Sequence, residues 1–205
     1  MSERPRIAIL ASGNGTTAEA LIYATQNGVL NADVVLVVTN KPDAGVLQKV
    51  ERFNHQGLGI KSLVINNTTH PGESAPGEQA PAESQAIYDA IKEVNVDLVL
   101  LLGYLKKVTG PLLDLKILNT HPGLLPATKG FYGKHVQAFV LEQKHEFSGQ
   151  TLHEVVSDYD SGKTITEHKI PVMPWDTEET LNAAVQAVEK ANISVDVDQF
   201  LKLSY

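Results

Sequence analysis

A single α/β domain is predicted, with a mostly parallel, twisted sheet, helices on both faces and antiparallel strands near the C-terminus. Three observations predict it. Short apolar runs alternate with helical patterns from Ile7 to Asn119, the order that builds parallel βα units. Two of those runs, Val34 to Val38 and Val96 to Leu102, are continuously apolar, as strands buried on both faces are. Two further strand patterns, Gln150 to Val156 and Thr164 to Pro171, lie close together around an acidic turn and read as an antiparallel pair.

The elements follow in order. Ile7 to Leu10 is a short strand closed by Ala11-Ser12-Gly13-Asn14-Gly15. Thr16 or Thr17 is the expected cap of a helix through about Gln26, with Ala20, Leu21 and Ala24 on one face and Gly28 ending it. After the Val34 strand, Gly45 to Gln56 reads as a helix with Val46, Leu47, Val50 and Phe53 inward, and Ile60 to Ile65 as a third strand. Asn66 to Pro81 is rich in Pro and Gly and reads as a loop that packs no core. A helix is expected over Ser84 to Val94, a short one near Thr109 to Leu113, and a strand over Ile117 to Asn119. His135 to Gln143 is the next helix; Thr177-Glu178-Glu179-Thr180 opens the last one in the manner of a capping box, to about Lys190.

Composition narrows the function. The 205 residues suffice for one sizeable core, and 42% hydrophobic with 20% charged residues is ordinary for a soluble globular chain. A formal net charge of −7 argues against nucleic acid as the main partner. Absence of cysteine excludes disulfides and thiolate metal sites. No run approaches membrane-spanning length, and the first apolar run is too short for a signal-peptide core, so the expected location is cytoplasmic, with no membrane partner.

The chemistry concentrates in Asn119-Thr120-His121-Pro122-Gly123-Leu124-Leu125-Pro126. Pro122 cannot extend a ladder, so the strand stops before it. Asn119 and His121, two residues apart on extended backbone, point to the same side. The amide can donate to an oxyanion and the imidazole can move a proton near neutral pH. The same stretch also fits a turn whose side chains only satisfy backbone groups. A second motif, Gly13-Asn14-Gly15-Thr16-Thr17-Ala18, fits G-x-G-x-x-A between a strand and a helix, where backbone amides and the helix N-terminus favour an anion. A nicotinamide dinucleotide would want an acid at the end of the second strand, and that strand ends Val38-Thr39-Asn40-Lys41, so a simple phosphate fits better. Asp160, in the turn before Ser161-Gly162, would raise and orient the His121 imidazole if it lies beside it; as a sequence feature it equally fits turn chemistry. His153 reads as a structural strand histidine. His55, His70, His135, His145 and His168 are scattered without metal-ligand spacing, so no metal is expected, and Ser12 has no nucleophile-elbow context.

Taken together, Ala11-Ser12-Gly13-Asn14-Gly15-Thr16, Leu102-Gly103-Tyr104, Asn119-Thr120-His121-Pro122 with Leu124-Leu125-Pro126, and Asp160-Ser161-Gly162 resemble the phosphoribosylglycinamide formyltransferases, the folate-dependent formyltransferase family of purine synthesis. The resemblance runs from about Arg6 to Val195 and implies one Rossmann-like formyltransferase domain over 1–205, with a phosphate-binding half over about 6–119 and a folate and catalytic half over about 120–205. By position it makes Asn119, His121 and Asp160 the catalytic set. It puts the substrate phosphate on Gly13, Asn14, Gly15, Thr16 and Thr17, and a ribonucleotide contact on Glu189. It assigns folate contacts to Leu105, Lys106, Lys107, Val108, Asn119, Val155 and Tyr159, and makes Lys129 to Gly133 a mobile loop over the site. The implied reaction moves the formyl group of 10-formyltetrahydrofolate, a co-substrate, to the amine of glycinamide ribonucleotide, without a metal. Partners are these small molecules, and a homodimer is left open. The alternatives are a formyltransferase acting on a nucleotide-linked amino sugar and a folate- or phosphoribosyl-binding module without turnover. The sequence departs from the family pattern at Thr16-Thr17, where Ser-Asn is usual, at Gln85, where an arginine is, at Leu105-Lys106, where Met-Arg is, and at Thr164, where Pro often follows the turn.

Overall fold

The computed structural model describes residues 4–133 and 135–204. Its strands are β1 (Arg6–Leu10), β2 (Asp33–Thr39), β3 (Lys61–Val64), β4 (Leu98–Leu101), β5 (Ile117–His121), β6 (Phe147–Glu154) and β7 (Thr164–Pro171). They form a seven-stranded sheet in the order β3-β2-β1-β4-β5-β6-β7. β1 pairs in parallel with β2 and β4, β2 with β3, and β6 runs antiparallel to β7. The helices are α1 (Thr16–Gln26), α2 (Gly45–His55), α3 (Pro81–Glu93), α4 (His135–Glu142) and α5 (Glu178–Ser204). The predicted class, α/β with C-terminal antiparallel strands, is the one observed. The chain divides into two compact units, Met1–Leu118 and Asn119–Tyr205. Among the described residues no helix is long and apolar enough to cross a membrane.

In the first unit β1 is the central strand, and Ile7, Ala8, Ile9 and Leu10 are all without solvent exposure. Parallel strand neighbours on both sides, with α1 and α2 packed on the adjoining β2, go with its unbroken apolar run. Val46, Val50 and Phe53 form the buried stripe of α2, whereas Leu47, expected inward, is only half-buried. At 100° per residue it stands a quarter-turn off that stripe.

Several boundaries differ from expectation for local reasons. Gly15, in the left-handed region, is the N-cap of α1 with no side-chain cap bond, so neither Thr16 nor Thr17 caps it. α3 begins at Pro81 rather than Ser84, because Pro sits well at a first helical position and Glu83 reaches back to the Ala80 N–H at 2.7 Å. The stretch before it is not wholly outside the core, since Gln79 and Ala80 are buried. Gly110–Asp114 is a 3-10 turn. β5 runs on through Asn119 to His121 and stops at Pro122.

In the second unit the β6–β7 hairpin, with β6 starting at Phe147 rather than Gln150, packs beneath α5. That helix continues to Ser204 instead of ending near Lys190. Its later turns are rich in β-branched and Asn/Asp residues, a weak local signal, but Ile193, Val197 and Leu201 are buried and decide the outcome. His168 on β7 also holds Asp196 of α5, with Nε2 3.0 Å from each carboxylate oxygen.

Candidate active site

In the first unit, β1 delivers the chain into Ala11 to Gly15. Gly15 has φ +68°, and a Cβ there would lie 2.6 Å from the Val46 side chain, so both backbone and space demand glycine. Gly13 has open space around its Cα. Because α1 lacks a side-chain cap, its first-turn amides have no side-chain acceptor from Gly15, an arrangement suited to an anion. Thr17 is buried, while Asn14 and Gly13 are exposed. Ser12, buried, ties this loop to the segment that follows β4: its N–H donates to Gly103 O at 3.0 Å and its hydroxyl accepts Leu105 N–H at 2.8 Å. In that segment Leu105 is exposed, Val108 is buried, and Lys106 and Lys107 are ion-paired to Glu83 and Glu78 at 2.6 and 3.1 Å.

In the second unit, Asn119 and His121 extend from one face of β5, as their spacing requires. Asp160 comes to them from the β6–β7 turn, held in the left-handed region at φ +50°. Its Oδ2 is 3.5 Å from His121 Nδ1 and its Oδ1 is 3.6 Å from His153 Nε2. His153, read from sequence as structural, is thus a fourth member of the cluster. Its Nδ1 meets the Glu154 carbonyl at 2.9 Å, which can only accept; in the neutral ring Nε2 is therefore the acceptor, and Asn119 Nδ2 donates to it at 3.0 Å. His121 Nε2 lies 2.9 Å from Thr128 Oγ1, whose own proton goes to Leu124 O at 3.1 Å, so the imidazole donates from Nε2. Neither His153 nor Thr128 stood out in the sequence; the alternation of β6, which puts Thr151 and His153 on one face, was the available signal for the first.

Electrostatics correct one expectation. Burial lowers the His121 pKa from 6.5 to about 4, and the neighbouring His153 adds to it whenever that ring is protonated, against an opposing hydrogen bond to Thr128. The net effect is the reverse of the rise expected from Asp160, because His121 is only 3% exposed. Burial likewise pushes the Asp160 carboxyl up, opposed by the Gly130 N–H at 3.4 Å and by His153 and Lys129. At neutral pH the imidazole is neutral. The loop around Lys129 is clasped to the turn by Lys129 Nζ on Asp158 at 2.9 Å.

The remaining candidates are placed as follows. Val155 is half-buried just beyond β6, Tyr159 is 41% exposed beside Asp160, and Glu189 is half-buried on α5. Among the described residues no group of three or more His, Asp or Glu side chains could hold a metal.

A neutral imidazole and an amide donor at the end of β5, with a buried carboxyl from the β6–β7 turn beside them, are groups that could serve group-transfer chemistry on an α/β enzyme fold. The chain belongs to the formyl transferase family, whose model matches residues 5–197. It is 37% identical to the chloroplastic phosphoribosylglycinamide formyltransferase of Arabidopsis thaliana, over 87% of this chain and 59% of that protein. It is 35% identical to the trifunctional purine biosynthetic protein adenosine-3 of Gallus gallus, over 92% of this chain but only 18% of that protein. The crystal structure of phosphoribosylglycinamide formyltransferase from Bacillus halodurans superposes with a TM-score of 0.84 at 31% identity, covering 98% of this chain and 97% of that one. The chain therefore spans less than a fifth of the trifunctional relative it matches.

Proposed function

We propose that this chain transfers the formyl group of 10-formyltetrahydrofolate to the amine of glycinamide ribonucleotide, a step of purine synthesis, in the cytoplasm and as one formyltransferase domain. The observation that carries the reading is that Asp160, from the β6–β7 turn, meets His121 of β5 and His153 of β6, while Asn119 of the same β5 strand bonds His153. Family membership supplies the reaction class, and the relatives named for phosphoribosylglycinamide formyl transfer supply the substrate.

In this reading the neutral amine attacks the formyl carbon and forms a tetrahedral intermediate with a developing oxyanion. Asn119 has one Nδ2 proton committed to His153 and a second with which to stabilise that oxygen. Neutral His121, whose Nε2 proton is engaged by Thr128, takes at Nδ1 the proton that the attacking nitrogen sheds and returns it to the departing folate nitrogen as the C–N bond breaks. Asp160, beside Nδ1, stabilises the transient imidazolium. The proton thus passes from one nitrogen to the other, and the enzyme returns to its starting state. The phosphate is assigned to Gly13 through Thr17, the folate to Leu105 through Val108 with Val155 and Tyr159, and a further ribonucleotide contact to Glu189.

The test is an assay of the purified chain with both substrates, beside His121→Ala. Turnover by the wild type and its loss in a folded variant support the reading. Formylation of a different amine, or turnover by His121→Ala within a few-fold of wild type, would overturn it.

A further inference from the structure

Glu83 has no solvent exposure at all, and helix capping does not account for that. Its Oε2 accepts the Ala80 N–H at 2.7 Å, which completes the first turn of α3. Both carboxylate oxygens also accept from Lys106 Nζ, at 2.6 and 2.8 Å, across 23 residues of chain. A buried carboxylate is tolerated only when paired, so the lysine and the acid hold one another in place.

The neighbouring contacts run between the same two segments. Buried Gln79 donates from its amide to the Tyr104 hydroxyl at 3.1 Å, accepts the Thr109 N–H at 3.3 Å, and donates its own N–H to Lys107 O at 3.1 Å. Lys107 N–H goes to Gly77 O at 2.8 Å, and Ser84 donates to Thr109 O. Residues 77–84 thereby form a template along residues 104–109. Within it Lys106 is the member with a donor to spare: an ammonium has three protons, and its two bonds to Glu83 leave one.

We propose that Glu83 is a positioning residue for the folate co-substrate, acting through Lys106. It turns a flexible cation into a fixed hydrogen-bond donor with its charge already neutralised. The segment Leu105 to Val108 then recognises the co-substrate by direction rather than by attraction to any anion. This rests on the reading that the segment faces the folate. It assigns a task to a residue of α3 that neither touches the reacting atoms nor lies in the pocket segment.

Glu83→Gln tests it, because the amide oxygen still accepts from Ala80 while the charge that fixes Lys106 is gone. The KM for 10-formyltetrahydrofolate is expected to rise about tenfold, the size of one charge-assisted hydrogen bond, with kcat and the ribonucleotide KM changed less than about twofold. Calorimetric titration with the folate donor should show the same loss without turnover. In a Lys106→Met background the Glu83→Gln change should add nothing further to the folate KM, which also keeps the test open should the single variant fold poorly. A purely structural cap would lower Tm and shift all parameters alike, or leave the folate KM unmoved; either outcome overturns the proposal. Wild-type protein that fails to bind the donor overturns the functional reading as well, whereas normal wild-type binding with an unaffected Glu83→Gln overturns this role alone.

Discussion

The Asn119 side-chain amide donates a hydrogen bond to His153 Nε2 at 3.0 Å, from a strand residue to another 34 positions later. Because His153 Nδ1 is committed to the Glu154 carbonyl, the ring cannot offer a proton to Asn119 and the amide has one orientation. The nitrogen end of Asn119, rather than the oxygen, is thereby kept on this side of the cluster.

His153→Ala should let the amide rotate and lower kcat about tenfold or more, the loss expected of one orienting hydrogen bond. His153→Gln, which still presents an acceptor, should recover part of it. Steady-state kinetics beside thermal melts separate this from unfolding; native kcat in a folded alanine variant would show that Asn119 is oriented by something else.

The two loop glycines should behave differently. Gly15→Ala places a Cβ 2.6 Å from Val46 in a left-handed backbone, so it should destabilise the protein by at least about 1–2 kcal/mol. Gly13→Ala meets open space and should leave Tm almost unchanged while crowding the anion loop and raising the ribonucleotide KM. If Gly13→Ala binds the ribonucleotide as tightly as wild type, the phosphate does not approach that backbone.

Acid stability follows from His121. Its pKa is 6.5 when exposed and about 4 in the fold, so between these values the unfolded chain binds more protons. Stability therefore rises with pH across this window and is lost as pH falls from 6.5 toward 4, by on the order of 3 kcal/mol. The Asp160 carboxyl, raised by burial, acts oppositely: above its ordinary 3.8 the native state holds the proton longer, and stability falls as pH rises through that shifted range. Urea melts of wild type and His121→Asn from pH 4 to 7 should show a shallower acid loss in the variant. Parallel curves would mean that His121 titrates normally.

Asp160→Asn keeps side-chain shape and turn preference while removing the charge. It should depress the His121 pKa further and lower kcat, with little change in Tm. Histidine resonances followed by NMR provide the measurement, and a His121 titration unmoved from wild type would count against the pairing seen at 3.5 Å.

Local sequence was sufficient for much of this protein. Alternating apolar and helical patterns placed the strands and helices to within a few residues, the end of α5 excepted, because burial on both faces of a parallel sheet writes itself as continuous Val/Ile/Leu runs. The two-residue repeat of extended chain put Asn119 and His121 on one face, and Pro122 marked where the strand ends. What depends on distant segments was not written there. That Asp160 and His153 meet His121 and Asn119 follows from the β6–β7 hairpin and not from any spacing. The sign of the His121 pKa shift follows from burial, which outweighs the carboxylate that sequence reasoning credited. α5 runs on to Ser204 because Ile193, Val197 and Leu201 are buried, against their weak helical propensity. Glu83 lay outside the helix expected from Ser84 and carried no signal in the sequence; only the fold set Lys106 against it. Propensity and periodicity act over a few residues, whereas desolvation and charge pairing depend on what the completed fold brings near, and these decided the chemistry.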